Sequence, residues 1–231
     1  MTTSVGSVKG TNGYPPLSGG AIPTPTLHFS RCSLKDVSQF IKTHHYSHTH
    51  PGGISHAFRL DMDGVLSGAC VFGYMAGNPL GQVVLRNFCD DPSFYRELMR
   101  LVLLDEVPYN SETRFVAWCL RWLRDNTDML AIVSFADPKF GHSGTIYHAG
   151  NWVYTGLQKE DRPRLIIDGK EIHPRQCLNK FKTSSVPKLV AAGHRVQQQR
   201  REPKHRFVFL LRPDLQPYLK YPRQQKPEKT L

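Results

Sequence analysis

Residues 110–136, NSETRFVAWCLRWLRDNTDMLAIVSFA, decide the architecture. Asn110 or Ser111 can cap a helix whose first turn carries Glu112 against the positive end of the helix dipole. Phe115, Cys119, Leu120, Trp122 and Leu123 then recur at helical spacing and make one wide apolar face, so the spacing predicts a helix over 110–126. Met129–Ala136 is a short unbroken apolar run, rich in branched and aromatic residues, and predicts a buried strand. Upstream, RLVLLDEV (100–107) is apolar enough for a second central strand and breaks at Pro108. Strand, helix and strand are long enough together for a right-handed parallel crossover. Such a crossover aims the N–H groups of residues 111–113, a natural anion site, at the sheet end where the second strand finishes.

That strand runs on into SFADPKFGHSGTIYHAGNWVYTG (134–156). Asp137-Pro138 ends it, since proline cannot continue a ladder. A short helix fits Ser143–Ala149, with Ser143 as N-cap and Gly150-Asn151 as a left-handed exit, and Trp152–Thr155 is extended again. Asp137 therefore lies at the carboxyl end of a strand, where open α/β sheets bind ligands. His142, Ser143, Gly144 and Tyr147 come within one loop and a helical turn of it. Ile146 and Ala149 can face the sheet, which leaves Tyr147 and His148 to the cleft. The competing reading of Asp137 alone is a local acceptor in a capped turn; the gathering of acid–base and hydrogen-bonding side chains favours a site.

Ahead of this unit, ISHAFRLDMDG, VLSGACVFGYM and QVVLRNFCD predict antiparallel strands, the first two joined by a turn at Asp63-Gly64, and Ser93–Met99 suggests a helical turn. The chain is thus of mixed α/β (α+β) class, with antiparallel strands preceding the parallel crossover. Arg100 reads either as a strand-edge arginine paired with Asp105 or Glu97, or as a substrate contact.

Residues 1–27, rich in Gly, Ser, Thr and Pro, lack the apolar surface to offset ordering and are expected to be a disordered tail. The first predicted element is the helix in SRCSLKDVSQFIKTHHYSH (30–48). Ser33 and Asp36 form a capping pair, Leu34, Val37, Phe40 and Ile41 form the stripe, and the end falls near Thr43. Five of eleven histidines come within the next thirteen residues: 44, 45, 48, 50 and 56. His44 and His48 would converge on a metal only if the helix continued, His45 and Tyr46 could face a substrate, and plain surface histidines are the third reading.

Length and composition narrow the functional classes. A chain of 231 residues at 39% hydrophobic can bury one full core. No stretch reaches the ~18 apolar residues of a membrane span, and the N-terminal residues lack a secretory pattern. Five cysteines without a Cys-x-x-Cys argue against a disulfide framework or zinc knuckle, so a cytosolic setting is expected. Trp118 and Trp122 suit either core packing or a dimer face. Residues 1–156 hold 12 Lys/Arg and 12 Asp/Glu, whereas residues 157–231 hold 18 and 7, so the final third carries the whole net charge of +11. A neutral body joined to a basic segment points to nucleic acid, against the alternative of a solubilising tail. Within that segment RLIIDGKEIHPR predicts a hairpin through Asp168-Gly169 and KHRFVFLL a strand. Residues 180–201 read as a basic loop or surface helix, and 213–231 as an extended basic arm.

HHYSH (44–48), RLVLLDEVPYNSETRFVAWCLRWL (100–123), SFADPKFGHSGTIYHAGNWVYTG (134–156), KHRFVFLL (204–211) and LKYP (219–222), in this order over residues 30–222, resemble the Mom DNA-modification proteins of Mu-like bacteriophages. The element order also resembles the GNAT acyltransferase fold, which implies a GNAT-like mixed central sheet with flanking helices over residues 28–212. It departs from ordinary GNATs in placing Pro108-Tyr109-Asn110-Ser111 where a glycine-rich pyrophosphate loop is expected. The resemblance implies an enzyme of the host cell cytoplasm that converts adenine in phage double-stranded DNA to N6-carbamoylmethyl (acetamido) adenine and so protects it from host restriction. It implies an activated glycyl or acyl donor, borne by tRNA or a small-molecule thioester, and iron held by His44, His45 and His48.

Within that resemblance Asp137 would be the base at N6 and Tyr147 the proton donor to the leaving group. Arg100, with the helix start at Asn110, Ser111 and Glu112, would hold the donor or a developing oxyanion, alongside His142, Ser143 and Gly144. His45 and Tyr46 would contact a flipped base. A non-enzymatic DNA-binding protein and a metal-dependent nuclease are the rival expectations.

Overall fold

The computed structural model describes residues 24–49, 52–75, 83–141, 143–158, 163–172, 174–200 and 202–225. Among the described residues ten strands run in chain order: β1 Leu27–Cys32, β2 Ile54–Met62, β3 Val65–Gly73, β4 Tyr95–Leu103, β5 Ala131–Ala136, β6 Val153–Gln158, β7 Arg164–Ile167, β8 Lys170–Ile172, β9 Val196–Gln199 and β10 Lys204–Leu210. Among the described residues five α-helices accompany them: α1 Leu34–His44, α2 Ser111–Asn126, α3 Thr145–Ala149, α4 Pro174–Phe181 and α5 Val186–Ala191. Seven strands form one sheet in the order β1-β2-β3-β4-β5-β10-β6, antiparallel except for the β4–β5 pair that α2 bridges. This is the mixed central sheet with flanking helices that the sequence leads one to expect.

The apolar stripes determine which face each helix covers. Phe115, Val116, Cys119, Leu120 and Leu123 of α2 are buried with Phe58, Phe72, Leu98 and Ile132 on one face of the sheet. Trp118 and Trp122 pack on the same side, with ring centroids 5.9 and 5.4 Å from Phe58, so core packing accounts for them. On the other face Val37 and Ile41 of α1 sit on Ala57, Ala69 and Val71. The Asp36 carboxylate accepts the Ser33 N–H at 2.7 Å, as the capping pair predicts. Both hairpin signals hold: Asp63-Gly64 and Asp168-Gly169 each place two consecutive residues at positive φ.

Several expectations need correction. β1, an edge strand, occupies part of what reads as tail and helix lead. Residues 95–99 are strand rather than helical turn, because pairing to both neighbours overrides the helical leaning of Arg-Glu-Leu-Met. The stretch expected as a third antiparallel strand makes only isolated bridges from Leu85, to Cys89 and Leu219. Residues 180–201 hold α5 and β9 rather than one loop or helix. The expected extended arm folds back: Pro213–Tyr218 is a 3₁₀ helix, Lys220 N–H donates to Val84 O, and Gln224 N–H donates to Tyr154 O. The expected tail, for residues 1–23, lies outside the described residues.

Candidate active site where two parallel strands part

β4 and β5 pair for three rungs only, Tyr95 with Ala131, Arg96 with Ile132 and Glu97 with Val133. On its other side β4 stays bonded to β3 out to Leu103, but its register shifts between Leu98 and Arg100, so Met99 is an extra residue in a β-bulge. The bulged strand keeps to β3 while β5 ends at Ala136, and the two parallel strands diverge beyond Glu97. A cavity of about 290 Å³ fills the gap, near the lower bound for small-ligand sites. His45, Tyr46, Met99, Arg100, Ser134, Asp137, Ser143, Gly144 and Tyr147 are among its walls. Five residues expected to be catalytic thus come from four separate segments to one opening.

Tyr147 reaches it by a different route from the one expected. It does not turn away from the sheet: it is buried against Trp152 and Phe207, with ring centroids 4.9 Å away in each case, while Ala149 is exposed. The helix begins at Thr145, not Ser143, with Gly144 at φ 83° before it. The loop therefore rotates the short helix away from the face assignment that spacing suggested. The Ser134 hydroxyl is 2.7 Å from the Tyr147 hydroxyl and 3.4 Å from Leu98 O. With Ser134 donating along the shorter contact, the phenolic proton is left for the cavity. Burial pushes the Tyr147 pKa well above its ordinary value, and the Ser134 hydrogen bond only partly opposes this, so the group is a proton donor.

Asp137 is a local cap and also borders the cavity. One carboxylate oxygen accepts the Lys139 N–H at 3.1 Å, as a local cap, and the other lies 3.5 Å from Lys204 Nζ while the side chain borders the cavity. Arg100 is anchored through backbone rather than acids: Nε donates to Thr49 O at 3.2 Å and Nη1 to Met99 O at 2.6 Å. Its second terminal nitrogen has no acceptor among the described residues. Burial lowers its pKa, opposed by Tyr46 and Glu97, so it presents a poorly hydrated, directed cation. Neither Asp105 nor Glu97 forms the ion pair expected as one alternative.

His45 is buried, its ring against Tyr46 at 4.2 Å between centroids. Its Nδ1 accepts the Ser47 N–H at 3.1 Å, which puts the proton of the neutral ring on Nε2. The expected convergence of His44, His45 and His48 on a metal does not occur. α1 ends at His44, and His45 is already extended, so the spacing of four never falls on one helical face. His44 stacks on Phe40 and the His48 ring turns to Lys42 O. Among the described residues no group of three His, Cys, Asp or Glu side chains has a geometry to hold a metal ion. These histidines do not fit the iron that the resemblance implies, and His50 lies outside the described residues.

The residues expected to hold the donor are divided. Ser143 and Gly144 border the cavity, whereas Asn110, Ser111 and Glu112 do not, and His142 lies outside the described residues. Asn110 precedes α2 at φ 65° without a side-chain cap, and Ser111 N–H is taken by Pro108 O. Ser111 Oγ is fully buried with no hydrogen-bond partner, an orphaned hydroxyl at the start of a long helix. A second groove of about 340 Å³, bordered by Thr113, Leu120, Arg121 and Trp152, meets the cavity at Ile146.

One group escaped sequence reading. Glu97 stands on the last shared rung of β4 and β5, and burial raises its pKa from 4.5 to about 7, with Lys204 and Arg100 pulling it down. Lys204 therefore acts on two carboxylates, at 3.5 Å from Asp137 and through its field on Glu97. Nothing in the run Tyr-Arg-Glu-Leu-Met announces this. The detectable signal would have been a lone acid one residue inside a parallel pair that diverges.

Solved structures of similar shape include a putative acetyltransferase of Salmonella typhimurium with its cofactor acetyl-CoA, at TM-score 0.47 and 10% identity over 81% of this chain and 95% of that one. Another is a putative acetyltransferase of Acinetobacter baylyi, at TM-score 0.47 and 9% identity over 88% and 98%. Over 142 residues the chain is 34% identical to the methylcarbamoylase Mom of Escherichia phage Mu. That alignment takes in 58% of this chain and 54% of the phage protein, so the chain spans about half the length of the curated relative it matches. The model of the Mom protein family matches residues 26–228, nearly the whole chain, and by that match the chain belongs to the Mom protein family.

Proposed function

We propose that this chain is a transferase that modifies adenine in double-stranded DNA at N6, leaving a carbamoylmethyl group that protects phage DNA from host restriction. The observation that carries this reading is one opening in the sheet bordered together by a carboxylate, a phenol, a half-buried guanidinium and a stacked His–Tyr pair. Family membership and likeness to a protein named methylcarbamoylase support the choice of reaction.

Adenine N6 is a weak nucleophile that sheds a proton as its new bond forms. Asp137, oriented by Lys139 N–H and Lys204, accepts that proton. Tyr147 donates to the leaving group, and the unused Arg100 nitrogen faces the charge that develops on the donor's carbonyl oxygen. The target atom lies inside a base stack, so the base must be flipped out, and the Tyr46 ring, half exposed beside His45, offers it a platform. The donor is an activated glycyl or acyl group, as an acyl thioester or aminoacyl-tRNA. Of the residues expected to hold it, Ser143 and Gly144 border the cavity and are available to it, whereas Asn110, Ser111 and Glu112 at the α2 start lie away from the opening. The product is joined to N6 through a methylene, whereas a glycyl group transferred to N6 is joined through its carbonyl. These adducts are isomers, so acylation by a glycyl donor is succeeded by a rearrangement in which the N6–carbonyl and methylene–amine bonds break and N6–methylene and carbonyl–amine bonds form, with no atom added or lost.

Mass spectrometry of nucleosides from cells expressing the protein tests this. A deoxyadenosine carrying the added mass, absent with Asp137→Ala, is the expected result. Unmodified adenine in both would leave a DNA-binding protein without this chemistry, and strand breaks would identify a nuclease.

A further inference from the structure

Between β6 and β10 the chain leaves the central sheet and builds a second unit. β7 pairs with β8 and β9 in a three-stranded sheet, and α4 and α5 close one face of it around Leu165, Ile167, Cys177 and Leu189. Residues 163–200 contain eight Lys/Arg and two Asp/Glu, a net +6 in 38 residues, which is more than half the charge of the chain. Both acids are already engaged. Glu171 lies 3.4 Å from Lys139 Nζ and 3.5 Å from Arg164 Nε, and Asp168 takes His194 Nδ1 at 2.8 Å and the Arg195 N–H at 2.9 Å. Lys170, Lys180, Lys182, Lys188, Arg195 and Arg200 are exposed and form no ion pair among the described residues, Lys180 acting on Asp168 only through its field.

We propose that this unit is a docking module for the phosphate backbone of duplex DNA, and that its contact with the turn after Asp137 sets the duplex beside the cavity. The proposal rests on the reading of DNA as substrate. Six cations outside any ion pair, spread over α4, α5, β8 and the turns that flank them and β9, match a polyanion rather than a single acidic group. Exposed Asn179, Ser184 and Gln197–Gln199 lie among them and supply the short neutral donors that phosphate oxygens accept. Leu178 and Val190, one exposed on each helix, stand singly and make no apolar docking face. The Lys139–Glu171 pair joins the module to the turn that carries Asp137, so backbone gripped there lies next to the opening into which a base would flip.

The test compares two triple variants of the full chain with equal charge change: Lys180→Glu, Lys188→Glu, Arg195→Glu in the module, and Lys35→Glu, Lys42→Glu, Arg86→Glu on the body. Anisotropy of a fluorescent duplex of roughly 30 base pairs is tracked against salt, with thermal melts to establish that both variants fold. The module variant should lose well over tenfold in affinity at low salt, and its log K against log salt slope should fall by roughly 0.9 for each phosphate contact removed. The body variant should stay within about threefold of wild type. Equal losses in both variants overturn the module, as does tighter wild-type binding to an RNA stem of the same length. Nucleoside mass spectrometry on the same proteins separates the two readings. Modified adenine with unaltered binding by the module variant sinks the docking proposal alone. Module-dependent binding without any modified adenine in wild type sinks the reaction and leaves the module.

Discussion

Tyr147 is held by two different kinds of contact that a single atom separates. Its ring packs on Trp152 and Phe207, and its hydroxyl meets Ser134 at 2.7 Å. Tyr147→Phe keeps the packing and removes the proton. The fraction of modified deoxyadenosine should therefore fall by roughly two to four orders of magnitude, while the unfolding free energy drops by no more than about 1 kcal/mol. A melt that collapses together with activity would make the hydroxyl structural. Glu97 permits a prediction in pH. Its pKa is raised from 4.5 to about 7, so folding favours the protonated carboxyl. The stabilisation this gives is complete below about pH 4.5 and is lost as pH rises through 7. Glu97→Gln should be flat across that window, gaining up to about 3 kcal/mol on wild type at pH 8 relative to pH 5 in urea titrations. Parallel curves for the two proteins would show that the carboxyl is not buried in this way. Asp137 was legible as a candidate because a strand end leaves a mark in a sequence, whereas Arg100 read equally as a strand-edge arginine paired with Asp105 or Glu97. Glu97 was not legible, since the same letter serves a solvated strand and a half-buried fork.

The strand break that makes the cavity is a property of β4 and of the loop before α3. β4 keeps its bonds to β3 by taking up Met99 as a bulge, and its divergence from β5 is the result. Gly144 closes the other side. It sits at φ 83°, and a Cβ there would collide with the Phe207 ring, which itself supports Tyr147. Gly144→Ala should cost roughly 2–4 kcal/mol from backbone strain and overpacking together, and should lower modification by displacing Tyr147. Chemical denaturation measures the first and nucleoside analysis the second. An alanine protein as stable as wild type would mean the loop relaxes freely. Elements with strong local rules were legible: the two Asp-Gly hairpins need positive φ at both positions, and α2 has a broad apolar stripe along its length. β1 and β4 were not. β1 is a short edge strand with alternating polar residues, and Tyr95–Met99 is composed largely of helix formers that only neighbouring strands hold extended.

Across the whole molecule, charge and apolar burial divide the basic final third into two roles that composition cannot distinguish. Residues 163–200 carry unpaired cations outward, whereas residues 213–225 run back over the body. Arg206 lies 3.4 Å over the Tyr221 ring, Leu219 packs beside Tyr95 and Val208, and Leu215 is fully buried among them. An extended arm was the reading that prolines and basic residues suggested, because the apolar partners of Leu215 include residues as remote along the chain as Val83–Leu85 and Tyr95. The strap also reaches β6, an edge strand of the central sheet, through Gln224. Leu215→Ala therefore creates a cavity in the core instead of altering a tail, and should lower the unfolding free energy by about 2–5 kcal/mol. A urea midpoint shift at unchanged slope is the expected signature. A shift below about 0.5 kcal/mol, the range of ordinary surface substitutions, would show that the C-terminal run does not belong to the core.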